Sequence, residues 1–311
     1  MAIILITGGT GLIGTRLSEL LLQEGHEVIV LTRKALPQSK LPKGIRHAKW
    51  DIDAKYIDPQ VISSADYILH LAGAGVADKR WDKKRKEEIV NSRVAGGLLL
   101  VEVLKNNPNK VQAVISASGI GWYGNDTDKS KQLGFTEESP ADTSFLGETC
   151  RLWEESMQGI SDLGKRLVIF RFGIVLTNKG GALPEFKKPI KLGIAAILGS
   201  GEQNVSWIHI DDLCNMLMMA IKKDSITGVY NAVAPEVVTN KVLTISLAKS
   251  MKRFFFIPFQ VPVFLLKLAM GEMSIEVLKS AKVNSYKIQG AGFHFRYPTL
   301  DEAIKELIHP L

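Results

Sequence analysis

Glycines 8, 11 and 14 follow directly on the apolar run Ile3-Ile4-Leu5-Ile6, and a helical pattern runs from Leu12 to about Glu24. Strand, glycine turn and helix is the order in which a chain can hold a dinucleotide pyrophosphate. Gly8 permits the sharp turn, Gly11 puts no side chain between backbone and phosphate, and Gly14 lets the helix lie close on the sheet. The helix start offers free N–H groups and the positive end of its dipole. The turn with Gly8, Thr10, Gly11, Leu12, Ile13 and Gly14 is therefore the candidate cofactor cradle. A tight turn that binds nothing is the plainer alternative.

The end of the second strand selects the dinucleotide. An acid there accepts hydrogen bonds from the ribose 2′-hydroxyl of NAD, whereas a basic residue accommodates the 2′-phosphate of NADP. This strand ends Val30-Leu31-Thr32-Arg33-Lys34, with no acid. Arg33 can grip a phosphate with two N–H groups and Thr32 can donate another, so NADP(H) is the expected cofactor unless Arg33 is only a charged turn residue. Leu71, Ala72 and Gly73 close the fourth strand with small residues, where backbone would approach a cofactor. Ser116 and Ser118 end the fifth, where ligands of doubly wound sheets sit, although a serine there can simply cap a turn.

The elements that must position these residues are readable from hydrophobic period. Strands are expected at Ile3–Thr7, Glu27–Leu31, Arg46–Trp50, Tyr67–Leu71, Val111–Ser116 and Leu167–Phe172, with helices near Leu12–Glu24, Arg85–Lys105 and Gly147–Leu163. Their alternation predicts an α/β fold, a doubly wound parallel sheet (Rossmann fold) over residues 1–175. Residues 176–311 are expected to form a smaller, mostly helical substrate region with a C-terminal extension over about 250–300. Within it we expect strands at Val205–Ile210, Val229–Val233 and Phe293–Tyr297, and a helix capped by Asp211.

Composition narrows the partners. The net charge of +7 is spread out, and its densest cluster, Lys79 to Glu88, mixes acids with lysines at helical spacing. A solvated helix face follows, rather than a nucleic-acid surface, while the positive field suits a phosphate-bearing cofactor. Two cysteines give no disulfide framework, and six scattered histidines predict no metal site. The first apolar run is too short for a signal peptide, and Phe254–Met270 is broken by Pro258, Gln260, Pro262 and Lys267, so neither a leader nor a membrane span is expected. A cytoplasmic protein with a small-molecule substrate is the reading, with a homodimer compatible.

Taken together, Thr7–Gly14, His70-Leu71-Ala72-Gly73, Ser116-Ala117-Ser118, Tyr123-Gly124 and Trp207–Leu213 resemble the extended short-chain dehydrogenases/reductases, which include nucleotide-sugar epimerases. The resemblance covers nearly the whole chain. Lys79-Arg80-Trp81, Gly121-Trp122-Tyr123-Gly124, Trp153-Glu154, Gly199–Gln203, Phe256-Ile257-Pro258 and Gly292–Pro298 are similar to an atypical branch called "epimerase family protein", which carries a C-terminal extension of unknown function. That likeness implies NADP(H), held by the glycine turn, Thr32, Arg33, Leu71, Ala72, Glu88, Arg93 and Val175.

Ordinary members of that family use Ser, Tyr and Lys, the last two spaced Tyr-x-x-x-Lys on a helix. No tyrosine of this chain has a lysine four residues later, and the matching helix carries Cys150 and Glu154 instead. Ser118 matches the family serine. Tyr123 and Cys150 are the remaining candidates for proton transfer, each with a plainer alternative as a packed side chain. Two functions stay open at this stage: an NADP(H)-dependent oxidoreductase or epimerase-like enzyme, and a non-catalytic NADPH-binding regulator.

Overall fold

Runs rich in Val, Ile and Leu form strands when both of their faces are to be covered, and here they are. In the first strand Ile4, Leu5 and Ile6 are all fully buried. The computed structural model describes residues 1–252 and 255–309. Its central sheet has eight strands in the order Gly228–Ala232, Arg166–Phe172, Ala113–Gly119, Tyr67–His70, Ile3–Thr7, Glu27–Thr32, Ile45–Asp51 and Tyr56–Ile57. Every pairing is parallel except the last. From Ile3–Thr7 the chain winds first to one side and then, at Tyr67, to the other. Thr7 lies opposite Leu31 on one flank and His70 on the other, so three strands end together at this switch point.

Alternating side chains split the core. Ile4 and Ile6 face one cluster, with Leu17 and Leu21 of the helix Leu12–Gln23 and Leu213 and Leu217 of the helix Ile210–Lys222. Leu5 faces the other, with Leu100 and Leu104 of the helix Lys83–Asn106 and with Met157. The long helix starts where Asp82 accepts the Arg85 N–H. The chain after residue 175 returns to this sheet: Gly228–Ala232 is its edge strand, and Ile210–Lys222 covers it. A third cluster around Leu183, Trp207, Leu247 and Ile304 holds the remaining C-terminal elements.

Four expectations are corrected. Phe293–Tyr297 is not a strand, because the backbone N–H groups of Arg296 and Tyr297 donate to the Asp212 carboxylate at 2.8 and 2.9 Å rather than to a ladder. Asp211 is not the cap of its helix; His209 is, accepting the Asp211 N–H, while Asp211 pairs with Arg16 at 2.7 Å. The expected helix Gly147–Leu163 starts earlier and breaks, into Phe145–Ser156 and Gly159–Asp162. The C-terminal region is less helical than expected: Ile194–Leu198 and Ile257–Val261 pair as a parallel ribbon, and Asn204–Val205 pairs with Val238–Thr239. Phe254, which opens the apolar run to Met270, lies outside the described residues. Among the described residues no helix is long and apolar enough to cross a membrane.

One segment of the extension crosses the sheet's end. The Asp126 carboxylate accepts from Ser280 Oγ at 2.6 Å, the Lys282 N–H at 2.8 Å and Asn204 Nδ2 at 2.9 Å. So anchored, Ala281 and Val283 pack onto Tyr123 beside Val233 and Phe135.

Candidate cofactor site and the network beside it

The glycine turn leaves no room for other residues. Gly8 has φ of +70°, and a Cβ there would lie 2.8 Å from the Leu71 carbonyl. A Cβ at Gly14 would meet the Gly8 oxygen at 2.4 Å. Gly9, absent from our expected set, is equally constrained, since its Cβ would strike Val30 at 2.7 Å. The helix beginning at Leu12 is capped by Gly11 with no side-chain acceptor, so its first N–H groups are left for a ligand. A close-packed turn with an uncapped helix start fits a dinucleotide phosphate.

Thr7 fastens the switch point. Its Oγ1 accepts the Leu71 and Ala72 N–H groups, both at 3.2 Å, and contacts His70 Nδ1 at 2.8 Å. Having accepted twice, the hydroxyl donates to Nδ1, which leaves the proton of neutral His70 on Nε2. That nitrogen is buried without a partner. Burial lowers the imidazole pKa to about 4, so the ring is neutral near pH 7.

At the far end of the turn, Arg33 and Lys34 are exposed, and Lys34 N–H bonds Thr32 Oγ1 at 3.3 Å. Glu88 reports what surrounds them. Its carboxylate is held below the usual range by a hydrogen bond from Arg85, at 2.7 Å, with smaller contributions from Lys79 and Arg33. Lys79 and Arg33 both bias the Glu88 carboxylate, and Lys79 is absent from the expected set. Among the described residues neither Arg33 nor Lys79 makes an ion pair. Arg85 itself bonds the Gly75 carbonyl and anchors the intervening loop.

Arg93 sits beneath rather than within this edge. Its Nη1 donates to the Ala74 and Ile89 carbonyls at 3.0 and 2.9 Å, and its guanidinium lies 5.0 Å from the Trp153 ring. A Cβ at Gly73 would approach its Cζ to 3.1 Å. Leu12, Ile13, Leu71 and Val175 each pack, partly buried, against the same apolar cluster, with Val175 on the strand Ile174–Leu176 opposite Ile208. The structure places the glycine turn, Thr32, Arg33, Leu71, Ala72 and Gly73 at the carboxyl ends of three adjacent strands, with Glu88 on the long helix and Val175 on the separate strand Ile174–Leu176.

Ser118 and Tyr123 are also brought together, but inside a closed network, with buried Cys150 beside Ser118. Ser118 Oγ donates to Glu154 Oε1 at 2.7 Å. Arg171 clamps the same carboxylate with two bonds of 2.8 and 2.9 Å, and its Nη1 reaches the Tyr123 hydroxyl at 3.0 Å. Tyr123 donates in turn to Asn231 Oδ1 at 2.6 Å, and the Asn231 N–H bonds Glu137 at 2.7 Å. The Trp122 ring lies 3.6 Å from the guanidinium carbon. Glu154 and Arg171 are both almost fully buried.

These surroundings decide protonation. Burial pushes the Tyr123 phenol up to about 12, against the opposing pull of Arg171. Burial also pushes the Cys150 thiol up to about 11, and Glu154 adds to it. Neither group loses a proton readily near neutral pH. Arg171, Asn231 and Glu137 were missed from sequence. The available signal was an arginine inside the apolar strand Leu167–Phe172, which calls for a buried counter-charge.

Comparison with known proteins agrees with this geometry. Residues 4–232 match the NAD dependent epimerase/dehydratase family, and residues 261–307 match a domain of unknown function (DUF1731). An epimerase family protein of Staphylococcus saprophyticus is 37% identical over 98% of this chain and 99% of its own length. The epimerase family protein YfhF of Bacillus subtilis is 34% identical, covering 98% and 97%. The crystal structure of the human epimerase family protein SDR39U1 (isoform 2) with NADPH superposes with a TM-score of 0.87 at 29% identity, covering 99% of this chain and all of that one. Fold, turn and extension agree with these matches: the chain belongs to the NAD-dependent epimerase/dehydratase family, in the group called epimerase family proteins.

Proposed function

We propose that this protein is an NADP(H)-dependent oxidoreductase of the cytoplasm, acting on a small polar substrate without a Tyr–Lys proton relay. The observation that carries the cofactor reading is the exposed cation Arg33 at the end of a second strand that has no acid, with exposed Lys79 on the loop before the long helix as a further cation. Both suit a 2′-phosphate, Arg33 through two parallel N–H bonds. The human relative solved with NADPH supports the same choice. The glycine turn and the Leu12 helix start would hold the pyrophosphate, and Val175 would lie toward the nicotinamide. When bound, the nicotinamide supplies or accepts the hydride.

The chain's own residues limit the substrate. The single Ser118 proton goes to Glu154, which leaves its oxygen only an acceptor, fit for a hydroxyl rather than a carbonyl. We therefore read the substrate side as an alcohol. In a thermal-shift assay NADP(H) should stabilise the protein and NAD(H) should not; equal shifts with both would refute the cofactor assignment.

A second reading has its own support. With Ser118 and Tyr123 both bound into the Glu154–Arg171 network, the chain would serve as an NADPH-binding regulator that signals cofactor state to another protein. Incubation of the NADPH complex with a carbonyl and nucleotide-sugar panel, and of the NADP⁺ complex with the matching alcohols, decides between them. Turnover that depends on Ser118 removes the regulator.

A further inference from the structure

The loop between the strand Tyr67–His70 and the long helix is fastened by two different parts of the molecule. Its first half is tied within the nucleotide domain. The Ala74 N–H donates to Ser92 Oγ at 2.9 Å, and the Ala74 carbonyl accepts from Arg93 at 3.0 Å. Trp81 Nε1 donates to the Val76 carbonyl at 2.8 Å, while Arg85 holds the Gly75 carbonyl and reaches the Asp78 carboxylate at 3.5 Å. Past Asp78 the fastening passes to the C-terminal extension. Arg80 Nη2 donates to the Leu268 carbonyl at 3.2 Å, a contact between residues 188 positions apart. Leu268 lies in the last turn of the helix Val263–Met270, where carbonyls lack intrahelical partners. An arginine suits such a helix end through both its N–H groups and its charge. Gly271 closes the helix at φ of +62°, and a Cβ there would approach Arg80 Nη2 to 3.2 Å. One residue on, Glu272 pairs with Lys86 in the first turn of the long helix. Lys86 also lies 5.2 Å from the Phe145 ring, against which Trp81 packs edge-on at 4.9 Å.

Lys79 stands between Asp78 and Arg80, and so between the two fastenings. It is exposed, and among the described residues it makes no ion pair. With Arg33 it acts on the Glu88 carboxylate, so the loop's cation and the strand-end cation share a neighbour. Resting on the NADP(H) reading, we propose that the C-terminal extension is a working part of the cofactor site. Its helix end, Leu268–Glu272, holds the loop so that Lys79 meets the 2′-phosphate of NADPH. Arg80 is then a positioning residue that acts through Lys79, and Glu272 acts through Lys86. Linkage makes the coupling reciprocal: an extension that favours NADPH binding is itself held more firmly once NADPH is bound. The scale is modest, because an exposed hydrogen bond and one partly exposed ion pair restrain a loop only lightly.

Isothermal titration of the full chain with NADPH and NADH tests this. Arg80→Ala should raise the NADPH dissociation constant about threefold and leave that for NADH unchanged. Glu272→Lys, which sets a cation against Lys86, should act the same way, and adding Lys86→Glu should restore the wild-type value. Should Glu272→Lys fail to fold, exposed Arg80 still decides. The critical combination is Arg80→Ala with Lys79→Ala. If the arginine acts through the lysine, this double variant binds NADPH no more weakly than Lys79→Ala alone. Losses that add, or that fall equally on NADH, reduce Arg80 to a structural contact and overturn the proposal. Hydrogen exchange supplies a second readout: NADPH should slow exchange over residues 268–276, and NADH should not. Unchanged exchange there overturns the proposal too. A wild-type chain that binds both nucleotides equally refutes the NADP(H) reading and this coupling with it. A preference for NADPH that survives Arg80→Ala and Glu272→Lys refutes the coupling alone.

Discussion

Two regions built on different strands of the same sheet treat polar groups in opposite ways. At the glycine turn the helix start keeps its N–H groups without a side-chain cap, and Arg33 stands without an ionic partner among the described residues. Twelve residues beyond the long helix, the region of Ser118 does the reverse: serine, tyrosine, glutamate and arginine satisfy one another almost completely. Unmet hydrogen-bonding capacity belongs to a place where something else binds, whereas a closed network holds itself together. Under the regulator reading, a family fold would retain its cofactor half while its proton-transfer half became structure.

The sharpest way to break this contrast is to restore the family's lysine. Glu154→Lys would set a second cation against buried Arg171 and remove the acceptor of Ser118. Breaking a buried pair costs about 3–5 kcal/mol, and like charges put this variant at the upper end. Urea unfolding measures it. The apolar pair Glu154→Leu with Arg171→Met should recover most of the loss; an equally unstable double variant would mean that the ion pair is not what the region depends on.

His70 joins the two regions and gives a pH test. Its pKa is about 4 in the folded protein against an ordinary 6.5. Below pH 6.5 the unfolded chain takes up a proton that the folded chain refuses, so stability falls as pH drops from 6.5 to 4. The full loss is about 3 kcal/mol, with nothing lost above pH 7. His70→Gln should flatten the slope between pH 6.5 and 4.5, where most carboxylates stay ionised. An unchanged slope would assign it to other groups and leave the Thr7–His70 contact without this role.

On the cofactor side, Arg33→Glu should weaken NADPH binding about ten- to a hundredfold while NADH binding changes little, since only the 2′-phosphate meets the new charge. Lys79→Glu should act in the same direction and less strongly, because the lysine is a point charge on a loop. Isothermal titration with both nucleotides reads the two. Equal losses for NADPH and NADH would move Arg33 from selecting the cofactor to shaping the turn.

The two halves differ also in how far the sequence alone discloses them. Glycine spacing and strand period carry the cofactor half because its requirements are backbone requirements: Gly8 and Gly14 are forced by atoms within a few residues or one strand away. The network depends on pairings that no local pattern encodes. Glu154 and Arg171 are 17 residues apart, and Tyr123 and Asn231 are 108 apart. The ribbon escaped notice for a related reason. Gly193 and Gly199 bracket Ile194–Leu198 like a loop, and its partner strand lies some sixty residues further on. At Phe293–Tyr297 the alternation of aromatics was real, with Phe293 and Tyr297 buried in separate clusters, yet Asp212 took the N–H groups a strand would have used.

Ser118→Ala carries the smallest expected effect and tests the contrast most directly. The variant loses one hydrogen bond to a carboxylate that keeps both bonds from Arg171. The cost is therefore about 1 kcal/mol, or roughly 2 °C in Tm. If the serine is only a member of the network, any NADP(H) turnover found with the substrate panel should survive in proportion to the folded fraction. If instead its remaining lone pairs receive a substrate hydroxyl, kcat/KM should fall at least about tenfold while Tm moves no further. That split would show chemistry persisting inside a region that otherwise resembles scaffold, with Glu154 holding the serine in its acceptor role rather than replacing the lost lysine.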